Sequence, residues 1–274
     1  MSSDAVQAFR ARGLMPKKSF GQNFLLDPNI CAKIAALCSD PPGGTVVEIG
    51  AGLGALTEPL LARAARVVAI ERDRDLCPIL RETLADPIAE GRLVILEQDA
   101  KQADFESLFG SGPAPRVLAG NLPYQLTGFL LERTTTLGHT IDRAVFMVQA
   151  EVADRLVAPP SGEAYGALTV FVGARFAVSR AFKVGRGAFF PRPGVDSAVI
   201  MLTPHTPPRA VETERFRAAV RLAFAQRRKT LRNAWSSLCS ADELRTRALA
   251  AGIDLSRRGE TLSIEEFARF AETP

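Results

Sequence analysis

Histidine and cysteine are scarce, at two and four among 274 residues. His139 and His205 are too few for a histidine-built metal centre or catalytic triad, and Cys31, Cys38, Cys77 and Cys239 include no C-x-x-C pair. Neither a zinc site nor a disulfide framework is indicated, so the thiols read as reduced and buried and no metal is expected. No stretch approaches the roughly 20 consecutive apolar residues that a membrane-spanning helix needs. The opening Met1-Ser2-Ser3-Asp4 lacks the charged-then-apolar order of a signal peptide, which makes a cytoplasmic protein the expectation. Internal repeats and low-complexity tracts are also missing.

What is present is an apolar share of 47%, ample for a core in one large domain and a small second one. Three short apolar runs read as buried strands: Val46-Val47-Glu48-Ile49, Val67-Val68-Ala69-Ile70 and Leu93-Val94-Ile95-Leu96. The first opens into Gly50-Ala51-Gly52-Leu53-Gly54 and then an amphipathic helix from Ala55 to Leu61. The second ends in Glu71, and the third is followed by Asp99. This is the mononucleotide-binding βαβ pattern, in which glycines admit a ligand to the backbone and an acid after the second strand accepts ribose hydroxyls.

Two details point away from a dinucleotide. The third glycine comes one residue earlier than in G-x-G-x-x-G, and Glu48 would repel a pyrophosphate while suiting a zwitterionic amino-acid ligand. With Glu71 for a ribose and Asp99 for an adenine N6, the ligand described is S-adenosylmethionine. A nicotinamide oxidoreductase is disfavoured further by the lack of an obvious hydride-transfer acid.

Asn121-Leu122-Pro123-Tyr124 follows the apolar run Arg116 to Gly120, where a buried strand would open into a ligand-binding loop. An Asn amide oxygen and the Leu122 carbonyl, stiffened by Pro123, can grip an exocyclic amine while Tyr124 stacks on the ring. An ordinary turn is the plain alternative, since Asn and Pro both favour turns.

Further strands are read at Arg143 to Val148, Leu168 to Val172 and Ala198 to Leu202. The proline-rich Thr203 to Pro208 reads as a linker, and Phe216 to Leu238, Ala241 to Ala251 and a capped start at Ser263-Ile264-Glu265-Glu266 read as helices. The expected division is residues 1–205 as an α/β catalytic domain and 206–274 as a helical C-terminal domain. Net charge is only +4, but Arg221, Arg227, Arg228, Lys229 and Arg232 fall within twelve residues that contain no acid. On a continuous helix Arg221, Arg228 and Arg232 lie near one face, suited to RNA phosphates or simply to solvent. Arg10, Arg12, Lys17 and Lys18 make a second basic cluster.

These residues carry a resemblance that runs almost end to end. Lys17 to Leu25 (KKSFGQNFL), Glu48 to Thr57, Glu71, Gln98-Asp99-Ala100, Gly120 to Tyr124, Gln149 to Leu156, Tyr165-Gly166, Val195-Asp196-Ser197-Ala198 and Gln226 to Asn233 resemble the small-subunit ribosomal RNA adenine dimethyltransferases. The resemblance implies a Rossmann-like class I methyltransferase sheet. It also implies dimethylation, at N6, of two adjacent adenines in the 3′-terminal hairpin loop of 16S rRNA, by a monomer acting on the small ribosomal subunit. It assigns Asn121, Leu122, Pro123 and Tyr124 to catalysis. Asn23, Leu25, Gly50, Gly52, Glu71, Asp99 and Asn121 go to the cofactor, with Asn23 and Leu25 near its methionine end. Tyr124, Phe189, Arg221, Arg228 and Arg232 go to the RNA. Phe189 is either a cover for the target base or a core ring. Glu48 is alternatively a structural acid that receives N–H groups of the glycine turn.

The chain departs from the family pattern at Gln125, where Asn is usual, and at Phe190 and Arg192, where Thr and Pro are more frequent. Thr127 is kept. Two other readings are weaker. A resistance-type methyltransferase of the large-subunit rRNA is opposed by the basic helical tail and Val195 to Ala198, and a non-catalytic assembly factor by the intact Asn121 to Tyr124 motif with Glu71 and Asp99.

Overall fold

The β-branched runs at Val46, Val67 and Val117 form the middle of a seven-stranded sheet. The computed structural model describes Gln7 and Phe9 to Thr273; Met1-Ser2-Ser3-Asp4 and the side chain of Lys18 lie outside the described residues. In chain order the strands are β1 (Phe24–Leu25), β2 (Thr45–Ile49), β3 (Arg66–Glu71), β4 (Leu93–Glu97), β5 (Arg116–Asn121), β6 (Arg143–Gln149), β7 (Phe176–Val184), β8 (Phe189–Phe190) and β9 (Ser197–Pro204). The sheet runs β4-β3-β2-β5-β6-β9-β7, while β1 and β8 pair separately and antiparallel. Strands β4 to β6 are mutually parallel, and β9 joins β6 antiparallel.

The chain builds outward from β2 to β4 on one side and from β5 to β6 on the other. The carboxyl ends of β2 and β5 therefore flank a topological switch point, the crevice in which open α/β sheets bind ligands. Gly120 lets β5 lie close to β2 there: a Cβ on it would stand 2.4 Å from the Ile49 carbonyl oxygen, so no other residue fits without shifting the strand.

Two compact units result, Met1–Ala153 with Ser179–Thr203 and Asp154–Val178 with Pro204–Pro274. The second unit is thus discontinuous and takes in Asp154–Val178, which sequence reading placed before the linker. The strand expected at Leu168 to Val172 is instead the middle of a helix, Ala167–Arg175. A five-residue apolar run does not distinguish buried strand from buried helix. Here the Gly166 N–H donates to Thr169 Oγ1, which in turn donates to the Arg155 carbonyl and secures the first turn. Strand β7, not among the strands expected from the sequence, carries a period-2 burial pattern in Phe176, Val178, Arg180, Phe182 and Val184.

In the second unit Trp235 stacks on Phe270, with ring centroids 4.0 Å apart, and meets Phe267 edge-on. Its indole N–H donates to the Ala219 carbonyl, so its polar atom is satisfied inside the core. Full burial of Phe267 contributes roughly 1.5–3 kcal/mol. Ser263 caps the helix Ile264–Glu272 in a reciprocal box with Glu266. The helix read across Phe216 to Leu238 is broken. Glu214–Ala225 ends at Gln226, and a separate turn, Leu231–Ala234, begins after Thr230. The break follows from tertiary hydrogen bonds, because the N–H groups of Leu231 and Arg232 donate to the carbonyls of Arg257 and Leu255.

Candidate active site

One cleft at the switch point is lined by Phe20 to Leu25, the turn Gly50 to Leu53, Glu71, Arg72, Asp99, and Asn121 to Leu126. Every catalytic and cofactor position inferred above lies on it. Phe189 does not. Its ring is buried in the sheet core, and Phe190, its strand neighbour, is the exposed one at 39%. The departures Gln125, Phe190 and Arg192 are all exposed.

Asn121 ends β5 with its side chain already oriented. Its Nδ2 donates to the Asn23 carbonyl at 2.9 Å, which leaves Oδ1 as the acceptor facing a ligand. Met147 on β6 accepts the Leu122 N–H at 3.1 Å, and the Thr127 hydroxyl donates to the Pro123 carbonyl at 3.1 Å. The loop is therefore pinned on both flanks, with the Leu122 carbonyl free of these bonds. Leu25 buries its side chain in the core, so only its backbone is available to a ligand.

Glu71 is 7% exposed and accepts two backbone N–H groups, from Gly52 at 2.8 Å and from Asp73 at 2.7 Å. Burial pushes its pKa up against the pull of these bonds. The acid that receives the glycine turn is thus Glu71 rather than Glu48. A carboxylate has about four lone-pair directions, so acceptors remain for two ribose hydroxyls. The turn glycines contribute conformation and space: Gly50 has φ +76° and spends its N–H on the Ile70 carbonyl at 2.8 Å. Asp99 lies 3.4 Å from the Arg72 guanidinium, whose flat face covers the Phe20 ring at 4.8 Å. An adenine with an exocyclic amine fits this donor set, and the acids and hydroxyl acceptors fit S-adenosylmethionine as a whole.

Glu48 is almost fully buried and accepts the Thr57 hydroxyl at 2.7 Å. Desolvation raises its pKa from 4.5 to about 7 against that hydrogen bond. The folded protein holds this proton more tightly than the unfolded chain, so stability is lost as pH rises from the ordinary value through the folded one. Glu48→Gln should remove on the order of 3 kcal/mol of that decline. The upward shift of Glu71 has the same sign and leaves a residual slope. Denaturant melts of both proteins at pH 5 and pH 8 measure it; equal slopes would refute the assignment.

Lys17 of the second basic cluster donates to Asp73 at 2.5 Å and to Asp75 at 2.6 Å, and Gln22 donates to Asp73 at 2.7 Å. These bonds tie the segment before Asn23 to the loop after β3. Spacing gave no hint of these bonds, nor of the contacts of Arg72 and Ser197, because their partners are distant in sequence. Arg221, Arg228 and Arg232 are all exposed, Arg221 with its guanidinium 5.9 Å over Phe171, and with the helix broken the three share no continuous face. The thiols of Cys31 and Cys77 are pushed by burial to about 11, which suits packing rather than reactivity. Among the described residues no cluster of His, Cys, Asp and Glu could hold a metal ion, and no helix is long and apolar enough to cross a membrane.

Residues 14–273 match the family model described as ribosomal RNA adenine dimethylase. A ribosomal RNA small subunit methyltransferase A of Moorella thermoacetica is 47% identical over 275 residues, covering 96% of this chain and 94% of that protein. The protein of that name from Anaeromyxobacter sp. strain K is 45% identical over 271 residues, covering 95% and 94%. Among solved structures, a dimethyladenosine transferase from Plasmodium falciparum superposes with a TM-score of 0.75 at 24% identity over 90% of this chain and 95% of its own. The 23S rRNA methyltransferase ErmE superposes with a TM-score of 0.66 at 26% identity, over 91% and 98%.

Proposed function

The chain belongs to the ribosomal RNA adenine dimethylase family, and we propose that it dimethylates N6 of two adjacent adenines in the 3′-terminal hairpin loop of 16S rRNA. It is an enzyme that uses S-adenosylmethionine. The proposal extends to its setting: a monomer that acts in the cytoplasm on the small ribosomal subunit. The observation that carries the chemistry is the bond from Asn121 Nδ2 to the Asn23 carbonyl, because it commits Oδ1 to accept at the mouth of a cleft that Glu71 and Asp99 line.

S-adenosylmethionine supplies an electrophilic methyl group. An adenine N6 lone pair is delocalised into its ring and attacks poorly. Asn121 Oδ1 and the Leu122 carbonyl accept the N6 hydrogens, favour a pyramidal nitrogen and stabilise the positive charge that develops on it. Tyr124 stacks on the base, which has to be unpaired or turned out of its helix to enter. Glu71 would hold the ribose of the cofactor and Asp99 its adenine amine, which would orient its methyl donor toward the target base. No strong base is needed, since the ammonium product is acidic enough to lose its proton to water. Pro123 keeps the Leu122 carbonyl in place.

Labelled S-adenosylmethionine incubated with separated small and large ribosomal subunits tests this reading. Label is expected in adjacent adenines of the small-subunit rRNA; label confined to the large subunit would replace it with the resistance-type reading.

Arg221, Arg228 and Arg232 are proposed to meet rRNA phosphates from the second unit, and the exposure of all three supports this. Changing all three to Gln is expected to weaken subunit binding and to flatten its salt dependence by roughly 0.7–0.9 per lost contact. Cofactor affinity is expected to stay unchanged. Binding titrations across a salt series measure both quantities, and an unaltered slope would assign these groups to solvent.

A further inference from the structure

Ser197 stands where a strand of the core should carry an apolar side chain. It begins β9 in register with Gln149 of β6, is 1% exposed, and is followed by Ala198, Val199 and Ile200, all buried. A buried hydroxyl without a partner costs about 1–3 kcal/mol on mutational scales. The partner of Ser197 is the Tyr124 hydroxyl, at 3.2 Å.

We propose that Ser197 is a positioning residue for methyl transfer, which fixes the direction of the Tyr124 side chain through its hydroxyl so that the ring stands where the target adenine must stack.

The inference rests on the reading of Tyr124 as the base-stacking residue. A tyrosine on a loop swings about its first side-chain bond, and its ring keeps one position only when its far end is held. Pro123 and the Thr127 hydroxyl secure the backbone on either side of Tyr124, but neither reaches the ring. Ser197 does, from a strand 73 residues further along the chain. The strand end that carries it is itself anchored: the Asp196 carbonyl accepts the Ala150 N–H at 3.0 Å, and the Asp196 carboxylate accepts the Arg186 N–H at 3.0 Å. The two groups proposed to grip the base are therefore each braced by a remote segment, Asn121 through the Asn23 carbonyl and Tyr124 through Ser197. Small losses of alignment at a reacting centre lower rates out of proportion to the contact removed.

The test is a double-mutant cycle on single-turnover methyl transfer to small subunits, with Ser197→Ala, Tyr124→Phe, the double variant and Tyr124→Ala. Ser197→Ala and Tyr124→Phe are each expected to slow transfer about five- to tenfold, the effect of one lost hydrogen bond. S-adenosylmethionine affinity should be unchanged, and the double variant should be no slower than either single one. If Ser197→Ala slowed the Tyr124→Phe enzyme by the same factor again, Ser197 would act through the fold and the inference would fall. Should Ser197→Ala not fold, Tyr124→Phe still decides: wild-type transfer in it overturns the inference. Tyr124→Ala separates the two layers, because wild-type transfer there would remove the stacking role itself, whereas strong impairment beside an unimpaired Tyr124→Phe would remove only the part given to Ser197.

Discussion

Asn121→Ala is expected to lose roughly 10²–10³ in the rate of methyl transfer, the usual effect of deleting one preorganised transition-state acceptor. Affinity for S-adenosylmethionine should stay within a few-fold, because the amide oxygen is directed at the target amine and its nitrogen is spent on the Asn23 carbonyl. That internal bond is what makes the effect large. An amide free to rotate would present its NH2 to the amine half the time, whereas this one presents only its oxygen. The variant loses the acceptor and leaves the Asn23 carbonyl without its donor, so a modest fall in stability accompanies the kinetic loss. Single-turnover transfer of labelled methyl to small subunits, paired with calorimetry for the cofactor, measures both. Wild-type turnover would contradict the role given to Asn121.

Glu71→Ala comes second and acts on the cofactor. A charged hydrogen bond contributes on the order of 1.5–3 kcal/mol, and two ribose hydroxyls are assigned to this carboxylate. Each bond corresponds to about tenfold or more in Kd. The structure adds a consequence that the ribose assignment alone does not contain. Glu71 also holds the Gly52 and Asp73 N–H groups, so the variant frees the glycine turn from the loop after β3. Thermal stability without cofactor should therefore fall together with affinity. Glu71→Gln separates the two: its oxygen keeps one of the backbone bonds, its NH2 faces the other donor, and both losses are expected to be intermediate. Calorimetry with unchanged affinity in Glu71→Ala would remove the residue from the cofactor site.

Much of this was legible in the chain because it is local. β-Branched runs ending in Gly50, Glu71 and Asn121 announce parallel strands opening into a cleft, since a strand buried on both faces is a continuous apolar run whatever surrounds it. The Ser263–Glu266 box announces a helix start, because both of its bonds close within four residues. The cleft residues Glu71, Asp99 and Asn121 were placed together for the same reason: each follows a strand of one parallel sheet, and parallel strands bring their carboxyl ends to one edge.

Tertiary structure decided whatever depends on a partner far along the chain. Leu168 to Val172 is apolar enough for a strand or a helix, and its burial in a second core made it helical. The basic stretch after Ala225 has helical composition, yet the carbonyls of Leu255 and Arg257 draw its amides away and break the face that Arg221, Arg228 and Arg232 were to share. Phe189 and Phe190 are adjacent aromatics of equal standing in the sequence; strand alternation sends one into the core and the other outward. The sequence by itself determined the parallel strands of the sheet, the cleft edge and the chemical groups available there, through periodicities that act over a few residues. Only the folded chain decided which way those groups point, because the Asn23 carbonyl, the Gly52 amide and the Ser197 hydroxyl reach Asn121, Glu71 and Tyr124 only once distant segments have packed.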